Sequence, residues 1–446
     1  MSLDPRPVGS ADVTPLDAES GLRQLASRFA AISISLFVGT IVGFAAVVFV
    51  KIVALADDYR RISIPRDLSL TDYTLSPVIG IGLFAAALIS GQVLRYFRNG
   101  QPHGPADLIH AAQHDHAPNQ RASFVSSLLA MVNLSGGASV GIFGPLVTFG
   151  GCLSALLQPG STRLSRDVIL GAGAGGAIAA VFSAPIGAAI FAHEAIIRRF
   201  GGFGTAPVIA CTFSAYLVSY LLLGEHPLFS GLKSPPLSVV SISAVIGIGI
   251  ASGAAATVYM LCVTAAPGWA RAMRIAVPLR PLIPAAVLFL LSPLLPHLLG
   301  TGFGSIDLVM AGQFTVTLLL ALVLLKIVVA SLCLGFGFFG GSFGPALFFG
   351  AMIGGLFDIL LSGHMGGYPT FAVLGAASCV AAVIGSPLAA IVIMFELTGS
   401  FTWAVLSMVS VVTATQISRS FAGRSLFDRQ LRMRGVVVKD DYIASG

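Results

Sequence analysis

The sequence predicts an all-α polytopic membrane protein, built from an internal duplication of broken and re-entrant helices. Three observations carry that prediction. The 446-residue chain is 56% hydrophobic and 10% charged, with a mean hydropathy of +0.91, whereas soluble proteins carry roughly 25% charged residues. Apolar segments recur along its whole length, but several are shorter than the roughly 20 residues a simple span needs. Gly or Pro interrupts many of them, and such broken helices persist at membrane depth only where protein or a cavity surrounds them. Finally, the chain repeats itself in order. Gly141–Gly150 (GIFGPLVTFG) returns as Gly341–Gly350 (GSFGPALFFG), and Phe182–Glu194 (FSAPIGAAIFAHE) returns as Ile384–Glu396 (IGSPLAAIVIMFE).

Taken in order, residues 1–28 read as a cytoplasmic N-terminal tail. They carry Asp4, Asp12, Asp17 and Glu19 and lack the apolar core of a cleaved signal. Within them, 14–28 has the spacing of a short amphipathic surface helix, with Leu16, Leu22 and Leu25 beside Arg23 and Arg28. A first transmembrane repeat covers 29–224. It opens with a span from Phe29 to about Ala56, followed by a charged loop, a helix over 77–94 and a Gly/Pro break at 99–105. Shorter apolar segments then lie near 122–133, 144–157, 168–181, 186–197 and 206–223. Residues 225–236, with Pro227, Pro235 and Pro236, form a linker. The second repeat covers 237–421, with segments near 237–265, 282–299, 308–334, 344–362, 370–381, 388–398 and 402–418. Residues 422–446 form a cytoplasmic C-terminal segment rich in Arg. Arg60, Arg61 and Arg66 conflict with that orientation, because one apolar helix separates them from the N-terminus.

The formal charge of +6 fits Arg-rich loops rather than a nucleic-acid partner, since no stretch combines dense Lys/Arg with aromatics. The partners implied are a lipid bilayer and a solute. The five cysteines are scattered through apolar segments and read as small buried hydrophobes. His110, His114, Asp115 and His116 have metal-like composition but read as a solvated linker, so no metal is expected. No Ser/His/Asp triad, phosphate-binding Walker sequence or zinc helix is present, which argues against an enzyme.

What remains is the pair of Gly-rich turns, Gly136–Pro145 and Gly340–Pro345, each uncharged and each entering an apolar helix. Backbone N–H groups at such a turn suit an anion, and Pro at the helix start costs no hydrogen bond. Internal duplication with broken helices at matching positions places a solute site between the halves, near the bilayer midplane.

These motifs resemble the CLC family of chloride channels and chloride/proton antiporters. Gly141-Ile142-Phe143-Gly144-Pro145 stands where that family has Gly-Lys/Arg-Glu-Gly-Pro, and Gly341-Ser342-Phe343-Gly344-Pro345 matches its Gly-x-Phe-x-Pro. Gly171–Pro185, Thr301–Phe314 and Ser386–Gly399 add three further likenesses in order, over roughly residues 30–435. The resemblance implies the inverted-repeat CLC fold and a homodimer with one ion path per subunit. It also implies residence in the bacterial inner membrane with both termini cytoplasmic, and no appended nucleotide-sensing CBS domains. Chloride ions in the pathway would be the only bound species, with no cofactor. Carried over by position, the N–H groups of Ile142, Phe143 and Gly144 line an outer anion site. Those of Ser342 and Phe343 line a central one, with Gly344 reaching the outer site.

The departures from the family pattern carry the functional expectation. The family's gating glutamate is replaced by Phe143, and its inner proton-site glutamate by Ala195. Neither side chain can carry a proton, so passive conduction of chloride or other small anions is expected. Phe143 acts as a hydrophobic plug or packs behind the motif. The alternative is an anion/proton antiporter coupled through His103, His193 or water. The family's first-motif Ser, which touches the central ion, falls on His103 or on Pro102; the Leu108-Ile109 helix that follows favours His103. The family's C-terminal Tyr falls on Phe427. Glu194 and Glu396 read as helix-end carboxylates, with Arg198 or Arg199 as partner for Glu194. Lys326 falls on a family basic position and is expected to pair with a carboxylate or carbonyls.

Overall fold

We analysed a computed structural model of the chain, which describes residues 18–62, 75–97, 103–157, 164–201, 204–224, 238–365 and 371–436. The described residues are almost entirely helical. Seven helices are long and apolar enough to cross a membrane, and the short ones lie between them.

Helix α1 runs unbroken over Ala18–Ile62. The expected surface helix and the first span are therefore one element, because nothing between them stops a helix: no Pro occurs from 18 to 62. Residues 14–17 lie outside the described residues. Helix α2 (Pro77–Leu94) matches expectation and starts with Pro in its first turn. The 99–105 break leads into α3 (Pro105–Gln113), then α4 (Gln120–Gly136), capped by Asn119 and closed by left-handed Gly137. Helices α5 (Phe143–Leu157) and α6 (Arg166–Phe182) follow. Next come α7 (Pro185–Phe191), which ends in a π-turn over Ala192–Ile197, and α8 (Thr205–Leu223). The linker at 225–236 lies outside the described residues.

In the second half, α9 (Val239–Ala272) extends past the expected 265 and carries Pro267 inside it. In the 282–299 segment the α-helix is confined to α10 (Leu282–Leu291), with a 3-10 turn at Pro296–Leu298, since Pro293 and Pro296 prevent its continuing. The 308–334 segment splits into α11 (Phe303–Met310) and α12 (Val316–Phe336). Left-handed Gly312 turns the chain between them, and Thr315 caps α12. Helices α13 (Phe343–Met365), α14 (Phe371–Ile384), α15 (Pro387–Thr398), α16 (Phe401–Ala422) and α17 (Leu426–Met433) complete the chain.

The duplication in sequence is a duplication in packing. Helices α5 and α6 cross at Gly150 and Gly173, where a Cβ on Gly150 would lie 2.4 Å from the Gly173 carbonyl oxygen. Helices α13 and α14 cross at Gly350 and Gly375 with the same 2.4 Å approach. Small residues let backbones meet where lipid offers no hydrophobic drive for association. The halves then join at their repeated motifs. Gly141 N–H donates to Gly341 O at 2.7 Å, and Gly341 N–H donates to Gly141 O at 2.8 Å, a two-residue antiparallel bridge. Equivalent glycines facing each other across such a bridge define a local two-fold relation between the repeats.

Lys326 is fully buried on α12. Its ammonium donates to Leu298 O and Gly300 O, at 3.2 and 3.3 Å, and lies over the Phe348 ring. Carbonyls are thus its partners. Beside them Arg60 is buried and paired with Asp57, near the C-terminal end of α1.

The bridge leaves no room for a side chain. A Cβ on Gly141 would stand 2.5 Å from Gly344 N, whereas one on Gly268 meets nothing within 4 Å. Gly141→Ala is therefore expected to destabilise the protein by about 1–3 kcal/mol, read as a lowered melting temperature of the purified protein in detergent. Gly268→Ala should melt with the wild type.

Candidate functional site: two uncapped helix N-termini

The bridge brings the N-termini of α5 and α13 together. The first intrahelical bonds are Leu146 N–H to Ile142 O and Ala346 N–H to Ser342 O, so the N–H groups of Ile142, Phe143, Gly144, Ser342, Phe343 and Gly344 precede both ladders. Gly344 N lies against Gly141, Gly144 N lies against Gly341, and the N-terminus of α3 reaches the same place through Pro105, beside Gly144. Neither α5 nor α13 has an acidic residue in its first turn. A helix N-terminus carries about half a positive charge, so two of them back to back form an anion cradle without a cationic side chain.

The chain treats its other interior N-termini differently. Glu396, near the end of α15, accepts the Ile186 and Gly187 N–H groups of α7 at 2.8 and 2.7 Å. Glu194, in the π-turn after α7, accepts the Leu388 and Ala389 N–H groups of α15 at 3.2 and 2.9 Å. The two antiparallel helices cap each other. Asp358 does the same for α14, through Phe371 and Ala372 N–H at 2.9 and 3.2 Å. Three helix starts are thus neutralised by carboxylates from neighbouring helices, and among the described residues the two at the repeated motif are not.

The side chains over the cradle are aromatic. Phe143, 1% exposed, stacks on Phe182 at 4.3 Å between ring centroids. It also lies 4.4 Å from Phe343 and 5.8 Å, edge-on, from Phe303. The Tyr259 hydroxyl, on α9, donates to Ser342 O at 3.4 Å. An apolar cavity of about 40 Å³ adjoins Phe182 and Phe343.

The remaining expected residues lie around this centre. His103 precedes α3; its N–H donates to Ser126 Oγ, and its ring is 5.8 Å from Phe97, which is 5.5 Å from Phe339. It therefore leans toward the strand entering the second motif, and no bond ties it to the cradle among the described residues. Phe427 is buried in the first turn of α17. Ala195 is buried in the π-turn. His193, also in the π-turn, has Nδ1 2.9 Å from Arg199 O and its Nε2 buried without a partner.

One pairing differs from expectation. Arg198 pairs with Asp428 and Arg199 with Asp167, while the Glu194 carboxylate faces backbone. Arg198 sits in a left-handed turn that aims it away from Glu194 toward α17. Asp358, Phe182, Phe303 and Tyr259 were not singled out by sequence. Phe182 stands inside the repeated segment, a signal that could have found it. Tyr259 has none. The His110, His114 and His116 rings cluster at 4.6–6.3 Å, but no group of three His, Cys, Asp or Glu fit to hold a metal occurs among the described residues.

A duplicated helical membrane protein with paired, uncapped helix N-termini at its midpoint belongs to the class of anion-transport proteins. Residues 82–419 match the family model described as "Voltage gated chloride channel". The chain belongs to that family. It is 24% identical over 359 residues to the voltage-gated ClC-type chloride channel ClcB of Citrobacter koseri, covering 79% of this chain and 85% of the relative. It is also 24% identical over 377 residues to ClcB of Shigella flexneri, covering 83% and 90%. Among solved structures, it resembles a slow cyanobacterial Cl⁻/H⁺ antiporter with a TM-score of 0.78 at 18% identity, covering 91% of this chain and 97% of that one. It resembles a CLC-type fluoride/proton antiporter with a TM-score of 0.74 at 22% identity, covering 90% and 98%. These likenesses show the CLC fold.

The reciprocal caps make a testable pair. Replacing either glutamate with Gln turns one acceptor into a donor facing a helix N–H, a change worth about 1–3 kcal/mol. Glu194→Gln and Glu396→Gln should each lower the melting temperature. By their equivalence in the repeat they should do so comparably, and the double variant should lose less than the sum because one antiparallel pair is disturbed twice.

Proposed function

We propose that the chain conducts chloride or other small anions passively through a CLC-type path, uncoupled from protons. One observation carries the reading. The centre of the first motif is Phe143, packed among phenylalanines, and the carboxylates of Glu194, Glu396 and Asp428 are committed to helix N-termini or to Arg198. Ala195 offers no proton site, and the adjacent Glu194 spends both oxygens on α15. In this reading Phe143, with Phe343 and Phe182, closes the path by excluding water. The N–H groups of Ile142, Phe143 and Gly144 hold an outer anion, joined by that of Gly344, and those of Ser342 and Phe343 line the central site. His103 and Phe427 replace the hydroxyl ligands of the family pattern, so selectivity among small anions is broad.

The protein works as an inner-membrane homodimer in the same reading. Its C-terminal Arg-rich end faces the cytoplasm. The conflicting positive charge at the end of α1 is relieved at Arg60, which is buried against Asp57 rather than presented to water. Transport rather than catalysis is its activity.

The partnerless Nε2 of His193 and the partnerless buried Nδ1 of His103 favour one second reading, a coupled exchanger using imidazole in place of carboxylate. Reconstitution separates the two. With a chloride gradient imposed on proteoliposomes, anion efflux and lumenal pH are recorded together. Passive conduction predicts efflux with no uphill proton movement, whereas proton uptake against its gradient supports the exchanger. Phe143→Glu is expected to make efflux pH-dependent; an unchanged pH profile would remove Phe143 from the path.

A further inference from the structure

The elbow between α16 and α17 forms a second cavity, of about 280 Å³. Arg424, Arg429 and Arg432 line it together with Asp428. Asp428 does not offset them, because its carboxylate is held by the buried Arg198. Arg424 reaches Glu194 O at 3.4 Å, and Arg429 donates to Thr264 Oγ1 at 3.0 Å and Ala422 O at 3.3 Å. These contacts fix two guanidinium groups in place at the cavity wall. Arg432 is exposed.

The cavity sits where a lipid headgroup belongs. The 22 residues of α16 rise about 33 Å, roughly the thickness of a bilayer's hydrocarbon core, and the elbow follows immediately. Phe421 is 74% exposed in the last turn of α16 and Met433 is exposed at the far rim. On α9, which Arg429 touches at Thr264, Trp269 is exposed one and a half turns further on, next to exposed Arg271 and Arg274. Exposed aromatics with arginines mark a membrane–water interface. The space is far larger than a halide, and a guanidinium fork matches phosphate oxygens.

We infer that this elbow binds the phosphate headgroup of an anionic phospholipid, its acyl chains lying against Phe421. The elbow is packed against the end of α14, where a Cβ on Gly385 would touch both Arg424 O and Ser425. The inference concerns lipid and stands whether or not transport is proton-coupled.

The test uses the full chain, purified and exchanged into detergent with equal amounts of phosphatidylglycerol and phosphatidylcholine, and native mass spectrometry as the readout. Wild type should retain phosphatidylglycerol selectively. Arg432→Gln, at an exposed position, should weaken retention about fivefold, and Arg429→Gln with Arg432→Gln about 30-fold, from roughly one juxtamembrane charge contribution each. Should the double variant melt early, the single Arg432→Gln variant carries the test. Equal retention of both lipids, or retention unaffected by Arg432→Gln, would overturn the inference. Displacement of the lipid by an equal concentration of inorganic phosphate would overturn the lipid assignment in favour of a soluble phosphate.

Discussion

Everything at the centre of this molecule depends on the two hydrogen bonds between Gly141 and Gly341. They fasten the repeats at equivalent residues, so the first turns of α5 and α13 cannot separate. Holding two positive helix ends together costs electrostatic energy that no acid in either first turn offsets. In the function proposed above, an anion relieves it. At the starts of α7, α14 and α15 carboxylates from neighbouring helices take that role.

The reciprocal caps of Glu194 and Glu396 tie this arrangement to the rest of the fold. Each carboxylate belongs to one repeat and neutralises a helix of the other. They also bear on coupling. Both oxygens of Glu194, one residue from Ala195, accept backbone N–H groups of α15, which holds the carboxylate in place.

Much of this was legible in the sequence. Apolar patterning and Pro positions gave α2, α5, α7 and α15 nearly to the residue, because Pro marks a helix start by its own geometry. The repeat offset gave the pairing of the two motifs. Less visible were features set by long-range contact. The merger of the surface helix into α1 depends on what is absent between residues 18 and 62. The split of α11 from α12 hinges on one left-handed Gly312 inside an apolar run. The Arg198–Asp428 pair joins residues 230 apart in sequence. In the site, the N–H cradle was readable from glycine and proline, whereas the aromatic packing of Phe143 on Phe182 and Phe303, and the Tyr259 hydroxyl on Ser342, required the fold.

The central claim is that the anion cradle has been kept while proton coupling has been lost. The most direct measurement is the reversal potential of the reconstituted protein in a planar bilayer, with a fixed chloride gradient and a proton gradient then added. The account predicts a potential set by chloride alone, unmoved by the change in pH. A shift toward the proton equilibrium potential would contradict it.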